Sequence, residues 1–194
     1  MSALKIMTTA RLAQVMGAEA VTIHTGFYGS LSKKKALRCM VKNVRGIRDR
    51  LKEEGIEVPI GMQTIGKKEV FGSLSEIAEV CKRVHGVIPV LDISHIHARG
   101  NGRLKEKEDF QQVFETVDNI GLDWYLVHLT GVTYNKDGEL FHVPIRKGDM
   151  SVIKMMECII ENDYHVTIIS ESPILEHDAV YAQILLDRAI ELTK

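Results

Sequence analysis

Apolar positions recur along the chain in two alternating rhythms, a helical one of three to four residues and short continuous runs. Residues 2–16 carry the helical rhythm and stop at Gly17, a C-cap signal. The run Ala20-Val21-Thr22-Ile23 ends in His24-Thr25-Gly26, after which Ser30 or Ser32 caps a long basic helix over about residues 33–54. The same alternation returns with Val58-Pro59-Ile60-Gly61-Met62, which leads to Gln63, a loop over residues 64–72, and a helix from Ser73 or Ser75 to about Val84. Val87-Ile88-Pro89-Val90-Leu91 ends in Asp92-Ile93-Ser94-His95, followed by the glycine-rich Arg99-Gly100-Asn101-Gly102 and a helix over about residues 106–119. Trp124-Tyr125-Leu126-Val127 ends in His128, and a long loop reaches Gly148. A helix over about residues 149–162 leads to Val166-Thr167-Ile168-Ile169 and Glu171, and a last helix covers about residues 176–192.

Strands alternating with helices at this spacing predict βαβ units and a parallel sheet, an α/β fold. The expectation is about five strands and six helices, opening on a helix. Strands this uniformly apolar need cover on both faces. Nothing resembling a linker or a low-complexity tract divides residues 1–194, so one domain is expected.

Composition narrows the classes. Of the 194 residues, 45% are hydrophobic and 26% charged, which is ordinary globular usage. No window holds the roughly 18 consecutive apolar residues of a membrane span, and the N-terminus lacks the pattern of a secretory signal. Lys plus Arg (25) nearly cancel Asp plus Glu (26), so an anionic partner must be met by a local patch. Cys39, Cys81 and Cys158 form no paired motif, which fits a reducing cytoplasm, and by default they are small core residues. All three lie within helices, away from the strand ends.

The candidate chemistry collects at one edge. In parallel α/β sheets and barrels, ligands bind where the strands end and the βα loops converge. Here the strand ends carry His24, Gln63, Asp92 with His95, His128 and Glu171, and the adjoining loops add His97 and His142. Imidazole and carboxylate are the ligand set of zinc, manganese or iron. Any one of these residues is readily an isolated polar residue at a strand end; the whole set is not. His85, His165 and His177 fall elsewhere and receive no role.

Several stretches resemble the endonuclease IV family: residues 21–28 around His24, Thr64-Ile65-Gly66-Lys67-Lys68 through Gly72, Leu91-Asp92-Ile93-Ser94-His95-Ile96-His97-Ala98-Arg99, Val127-His128-Leu129, Gly138-Glu139-Leu140-Phe141-His142-Val143-Pro144, and Ser170-Glu171-Ser172-Pro173. That family comprises the zinc-dependent apurinic/apyrimidinic endonucleases of the xylose-isomerase-like TIM-barrel superfamily, and the wording is closest to its archaeal branch. The resemblance runs over essentially the whole chain in the family's order. It implies that His24 is a ligand of a first zinc, that Asp92, His128 and Glu171 hold a second, and that His95 and His142 hold a third. Gln63 and Glu171 are the positions it marks as catalytic, Gln63 standing where a glutamate bridges the first two ions. The implied activity is hydrolysis of the phosphodiester at abasic sites in DNA, with hydroxide attacking phosphorus while a metal stabilises the leaving 3′-oxygen. Lys67, Lys68, Arg99 and Arg103 lie on loops of the same rim and are candidate DNA phosphate contacts.

Three features depart from the family. Its barrel has eight strands, and this chain offers what look like the last five, so the expected fold is TIM-barrel-like but incomplete. Gln63 replaces a carboxylate with a neutral amide, a weaker donor, so the first metal position is expected to be empty or weak. At the third position the family's aspartate has two stand-ins, Glu139 and Asp137, with the register open. An open sheet would leave apolar edges that favour self-association or a longer natural chain. Two other functions fit the same residues. One is a sugar isomerase or epimerase of the same superfold using Asp92, His128 and Glu171. The other is a binding protein that keeps metal or DNA without turnover.

Overall fold

A computed structural model describes residues 2–193. Helix α1 (Ala3–Met16) starts where the Ser2 hydroxyl accepts the Lys5 N–H and ends at Gly17, whose left-handed backbone returns N–H bonds to Ala13 and Gln14. Strand β1 (Val21–Ile23), helix α2 (Lys33–Glu53, capped by Ser32), β2 (Ile60–Gln63), α3 (Leu74–Arg83) and β3 (Val87–Asp92) follow. Then come α4 (Ile93–Arg99), α5 (Lys107–Asp118), β4 (Tyr125–Leu129), a hairpin of β5 (Gly131–Asn135) and β6 (Gly138–Val143), α6 (Val152–Glu161), β7 (Val166–Ser170) and α7 (Glu176–Leu192). A short 3₁₀ turn, Ile145–Lys147, joins the hairpin to α6.

Two elements correct the expectation from sequence. Residues 93–99 form a seventh helix rather than a loop, and residues 131–143 form a hairpin rather than an irregular stretch. Helix α4 is buried from Ile93 to Ala98, so it lacks the one-sided apolar stripe that betrays an amphipathic helix. The cysteine default fails once: Cys81 and Cys158 are buried, while Cys39 is exposed on α2.

The five strands of the main sheet lie in the order β1-β2-β3-β4-β7, all parallel, and form a half-barrel. Its central strands β2, β3 and β4 are buried almost throughout, as expected of a parallel sheet covered on both sides. The register sets Asp92, the last residue of β3, directly opposite His128, one residue before the end of β4. Two hydrophobic clusters fill the outer face. One joins α1, α2 and α3 to β1 and β2 through residues such as Ile6, Leu51, Ile60 and Ile77. The other joins α5, α6 and α7 to β3 and β4 through Leu91, Phe110, Phe114, Val127 and Met155. At the far edge β7 is only half covered, with Ile169 45% exposed. Among the described residues, no helix is long and apolar enough to cross a membrane.

Candidate metal centre

The ends of β3 and β4 and the turn after β7 bring Asp92, His128 and Glu171 together, and one ligand atom from each lies within 4.8 Å of the others. Asp92 and His128 are buried, and Glu171 is partly exposed. The His128 Nδ1 sits 2.9 Å from a Glu171 carboxylate oxygen, yet it is buried without an aligned hydrogen-bond partner. Two donor atoms lying side by side instead of pointing at one another is the arrangement that chelates a common ion. A buried ring nitrogen left otherwise unsatisfied is costly.

In a second group, His95, Glu139 and His142, one ligand atom from each likewise lies within 4.8 Å of the others. His95 comes from α4, whereas Glu139 and His142 ride on β6, so the hairpin completes the site. Backbone carbonyls orient both imidazoles: His95 Nδ1 lies 2.9 Å from the Thr64 carbonyl oxygen and His142 Nδ1 lies 3.2 Å from that of Glu171. A carbonyl only accepts, so each Nδ1 carries the hydrogen and each Nε2 presents a lone pair. Those two Nε2 atoms face each other at 3.2 Å, with Glu139 oxygens 3.3 Å from His95 and 3.7 Å from His142. Lone pairs and a carboxylate converging in this way demand a cation between them. Without metal that cation is a proton. Burial works against a charged His95 ring, but Asp92 and then Glu139 outweigh it and push its pKa up to about 11. The Glu139 carboxyl is held below its ordinary value chiefly by His95, against its own burial, and Glu171 is held low by the adjacent His128.

The two groups adjoin. His95 Nδ1 is also 3.0 Å from Asp92 Oδ2, and the other oxygen of Asp92 accepts the His95 backbone N–H at 2.8 Å as the N-cap of α4. Asp92 thus fixes the helix that carries a ligand of the neighbouring group. The donor sets suit zinc, and manganese is compatible with the same mixture of imidazole and carboxylate.

Residues 2–188 match the family model described as xylose isomerase-like TIM barrel. The chain belongs to this family. An uncharacterized protein of Methanocaldococcus jannaschii is 30% identical over 180 residues, which take in 91% of this chain and 65% of that protein. The chain therefore spans less than two thirds of that relative's length. Among solved structures, a D-tagatose 3-epimerase-like protein superimposes with a TM-score of 0.73 at 22% identity, covering 98% of this chain and 69% of its own. Endonuclease IV from Thermus thermophilus superimposes with a TM-score of 0.65 at 18% identity, covering 98% and 68%. At such identities the two structures share this chain's fold, and the family itself holds both kinds of enzyme.

Around this barrel edge the remaining candidate residues fall into three situations. His24 is exposed and joins no group of three among the described residues; its Nε2 donates to the Gln63 side-chain oxygen at 2.8 Å. Gln63 passes the contact on, its amide nitrogen donating to Asp92 Oδ2 at 2.8 Å. His97, grouped with the rim from its sequence position, is instead a structural residue. It is fully buried, accepts the Leu104 N–H on Nδ1 and donates from Nε2 to Asp149, so no ring nitrogen is free. Arg99 is also committed to structure: its guanidinium donates to the carbonyls of Ile65, Lys67 and Val70 and to the Tyr28 hydroxyl, bracing the 65–70 loop. Lys68 is tied to Asn101 and to the Lys136 carbonyl, whereas Lys67 and Arg103 stand exposed.

Of the two stand-ins at the hairpin, the structure brings Glu139 to the histidines, while Asp137 offers its carbonyl to the Lys68 N–H. Sequence reading gave no role to Thr64, whose carbonyl orients His95 and whose hydroxyl bonds the Asp92 backbone in both directions, at 2.9 and 3.1 Å. It also passed over Asp178, buried, which accepts the Ser172 hydroxyl and the Ile145 N–H and so ties the turn after β7 to the end of the hairpin. Neither residue stands in a motif; each is visible only through its contacts.

Proposed function

We propose that the chain is a metal-dependent phosphodiesterase of the endonuclease IV kind, acting at abasic sites in DNA. The observation that carries this reading is the pair of adjoining three-ligand groups sharing the Asp92–His95 contact. Phosphoryl chemistry gains from two closely placed cations, one facing the attacking and one the leaving oxygen. A bound divalent ion in each group would neutralise phosphate charge and favour ionisation of water.

The protein's own residues supply the rest. Glu171, the most accessible carboxylate of its group, accepts the proton of the attacking water. As the new P–O bond forms, the bond from phosphorus to the 3′-oxygen breaks, and that oxygen takes a proton from solvent. Lys67 and Arg103 are the exposed cations left to meet flanking phosphates. Gln63 orients Asp92 and brings no charge of its own.

Nicking of an abasic-site duplex, stimulated by zinc or manganese and lost in His142→Ala and Asp92→Asn, supports the reading. A second reading has its own support in the likeness to the D-tagatose 3-epimerase-like structure: a single ion at Asp92, His128 and Glu171 serving a ketose epimerase. Turnover of ketoses that survives His142→Ala, with abasic DNA left intact, would replace the first reading with this one. Salt-sensitive duplex binding without nicking would identify a binding protein.

A further inference from the structure

At the opposite end of the sheet, before β2 and β3 begin, lies a cavity of about 410 Å³ lined by Arg45, Arg48, Lys52, Arg83 and His85 together with Asp49 and Glu57. Arg48 is the unusual member. It projects from α2 and is only 8% exposed, so its charge has been taken out of water. Its Nη1 donates to the Val58 carbonyl at 2.9 Å, while its Nε is buried with no partner at all. Among the described residues no carboxylate forms an ion pair with it; the nearby Arg83 is instead matched with Glu79. Burying a guanidinium on one neutral acceptor is unfavourable, and such groups are ordinarily paired.

The surroundings are built to keep that guanidinium in place. Gly86 has φ +75°, which strains any L side chain, and a Cβ there would stand 2.6 Å from Nε and 2.8 Å from Nη2, so a larger residue would displace the guanidinium. Arg45 reaches across from α2 to donate to the Arg83 carbonyl, which holds the C-terminal end of α3 against the cavity. With Arg83 matched by Glu79, three further cations, Arg45, Arg48 and Lys52, against two carboxylates line the space, in a chain whose total charge is −1.

We infer that this cavity is a binding site for a small phosphate-bearing molecule, separate from the metal edge, with Arg48 supplying the buried charge that the ligand neutralises. Guanidinium is the side chain best matched to phosphate oxygens. Lys52 and Arg45 stand exposed around it and add attraction at the mouth.

The test is a titration of inorganic phosphate into the full chain followed by amide NMR, with EDTA present so that the strand-edge groups hold no metal. Saturable shifts at the Gly86 and His85 amides are expected. Arg48→Met, which keeps the aliphatic stem, should weaken binding about tenfold or more. Should that variant not fold, the exposed Lys52→Ala decides, with an expected weakening of about threefold. Glycerol phosphate should compete at the same amides. No saturation in the wild-type chain, unchanged affinity in the variant measured, or shifts confined to the metal edge would overturn the proposal. Displacement of phosphate by duplex DNA but not by glycerol phosphate would overturn the small-molecule assignment.

Discussion

At Gln63 a neutral amide stands between an imidazole and a carboxylate, 2.8 Å from each. Its neutrality is what lets Asp92 accept a hydrogen bond there. A carboxylate in its place would face Asp92 as a like charge in a buried setting, where repulsion is weakly screened. Gln63→Glu is therefore expected to destabilise the metal-free chain by about 1–3 kcal/mol and to regain more stability from added zinc than the wild type does. Thermal melts with and without zinc check this, and equal zinc stabilisation in both proteins would contradict it. The same scale shows where sequence reading reaches its limit. His95 and His97 sit two residues apart in one motif, and only the structure separates a ring with an open Nε2 from one whose two nitrogens are already satisfied. Gln63 stood out in the sequence only against the glutamate that the family resemblance places at that position.

At the scale of elements, the hairpin supplies Glu139 and His142, two of the three residues of the second candidate ligand group. Its tip is docked on the 65–70 loop: Gly138 has φ +101°, and a Cβ there would collide with the Gly66 carbonyl oxygen. Gly138→Val should push the tip away and carry Glu139 and His142 with it. The expected result is loss of one metal per chain while the Asp92–His128–Glu171 group keeps its own, read by elemental analysis. Loss of neither would show that the hairpin does not govern the second group, and loss of both that the two groups do not hold metal independently. Helix α3 offers a pH test. Glu76 caps it by accepting the Ser73 N–H at 3.0 Å and also takes the Tyr28 hydroxyl. Burial raises its pKa, but the bonds from Tyr28, Ser73 and Gly72 win, leaving it below the ordinary carboxylate value. A depressed folded-state pKa contributes stability that is present above the unfolded value of about 4.3 and lost as pH falls through the folded one. Glu76→Gln should flatten the acid limb of the stability curve; an unchanged limb would remove Glu76 from the account. The strands and the long helices were readable from periodicity, but α4 and the hairpin were not. Helix α4 is seven residues long and buried almost all round, and the hairpin strands are short, partly exposed and interrupted by a register shift between Thr133 and Tyr134.

Across the whole molecule, the half-barrel leaves apolar side chains in water at its two flanks. Leu4, Leu12, Val15 and Met16 are exposed on α1, and Ile169, Val180, Ile184 and Leu192 on β7 and α7. Exposed apolar surface of this extent promotes association. The double change Val180→Lys with Ile184→Lys should therefore raise the concentration at which light scattering first detects association. An unchanged onset would mean that the α7 flank does not drive it. That the sheet would be parallel and incomplete was legible from five apolar runs, because a parallel sheet writes its strands as continuous hydrophobic segments. The meeting of Asp92, His128 and Glu171 at its edge was legible only through the family resemblance, and the carboxylate beside His95 and His142 was left open between Glu139 and Asp137 until the hairpin register brought Glu139 there.

The direct measurement is metal content per chain after dialysis against zinc and then metal-free buffer, on the wild type and on Glu139→Gln with His142→Ala. Two adjoining ligand groups predict about two zinc ions in the wild type and about one in the double variant. One ion or none in the wild type, or the same count in both proteins, would contradict the binuclear centre.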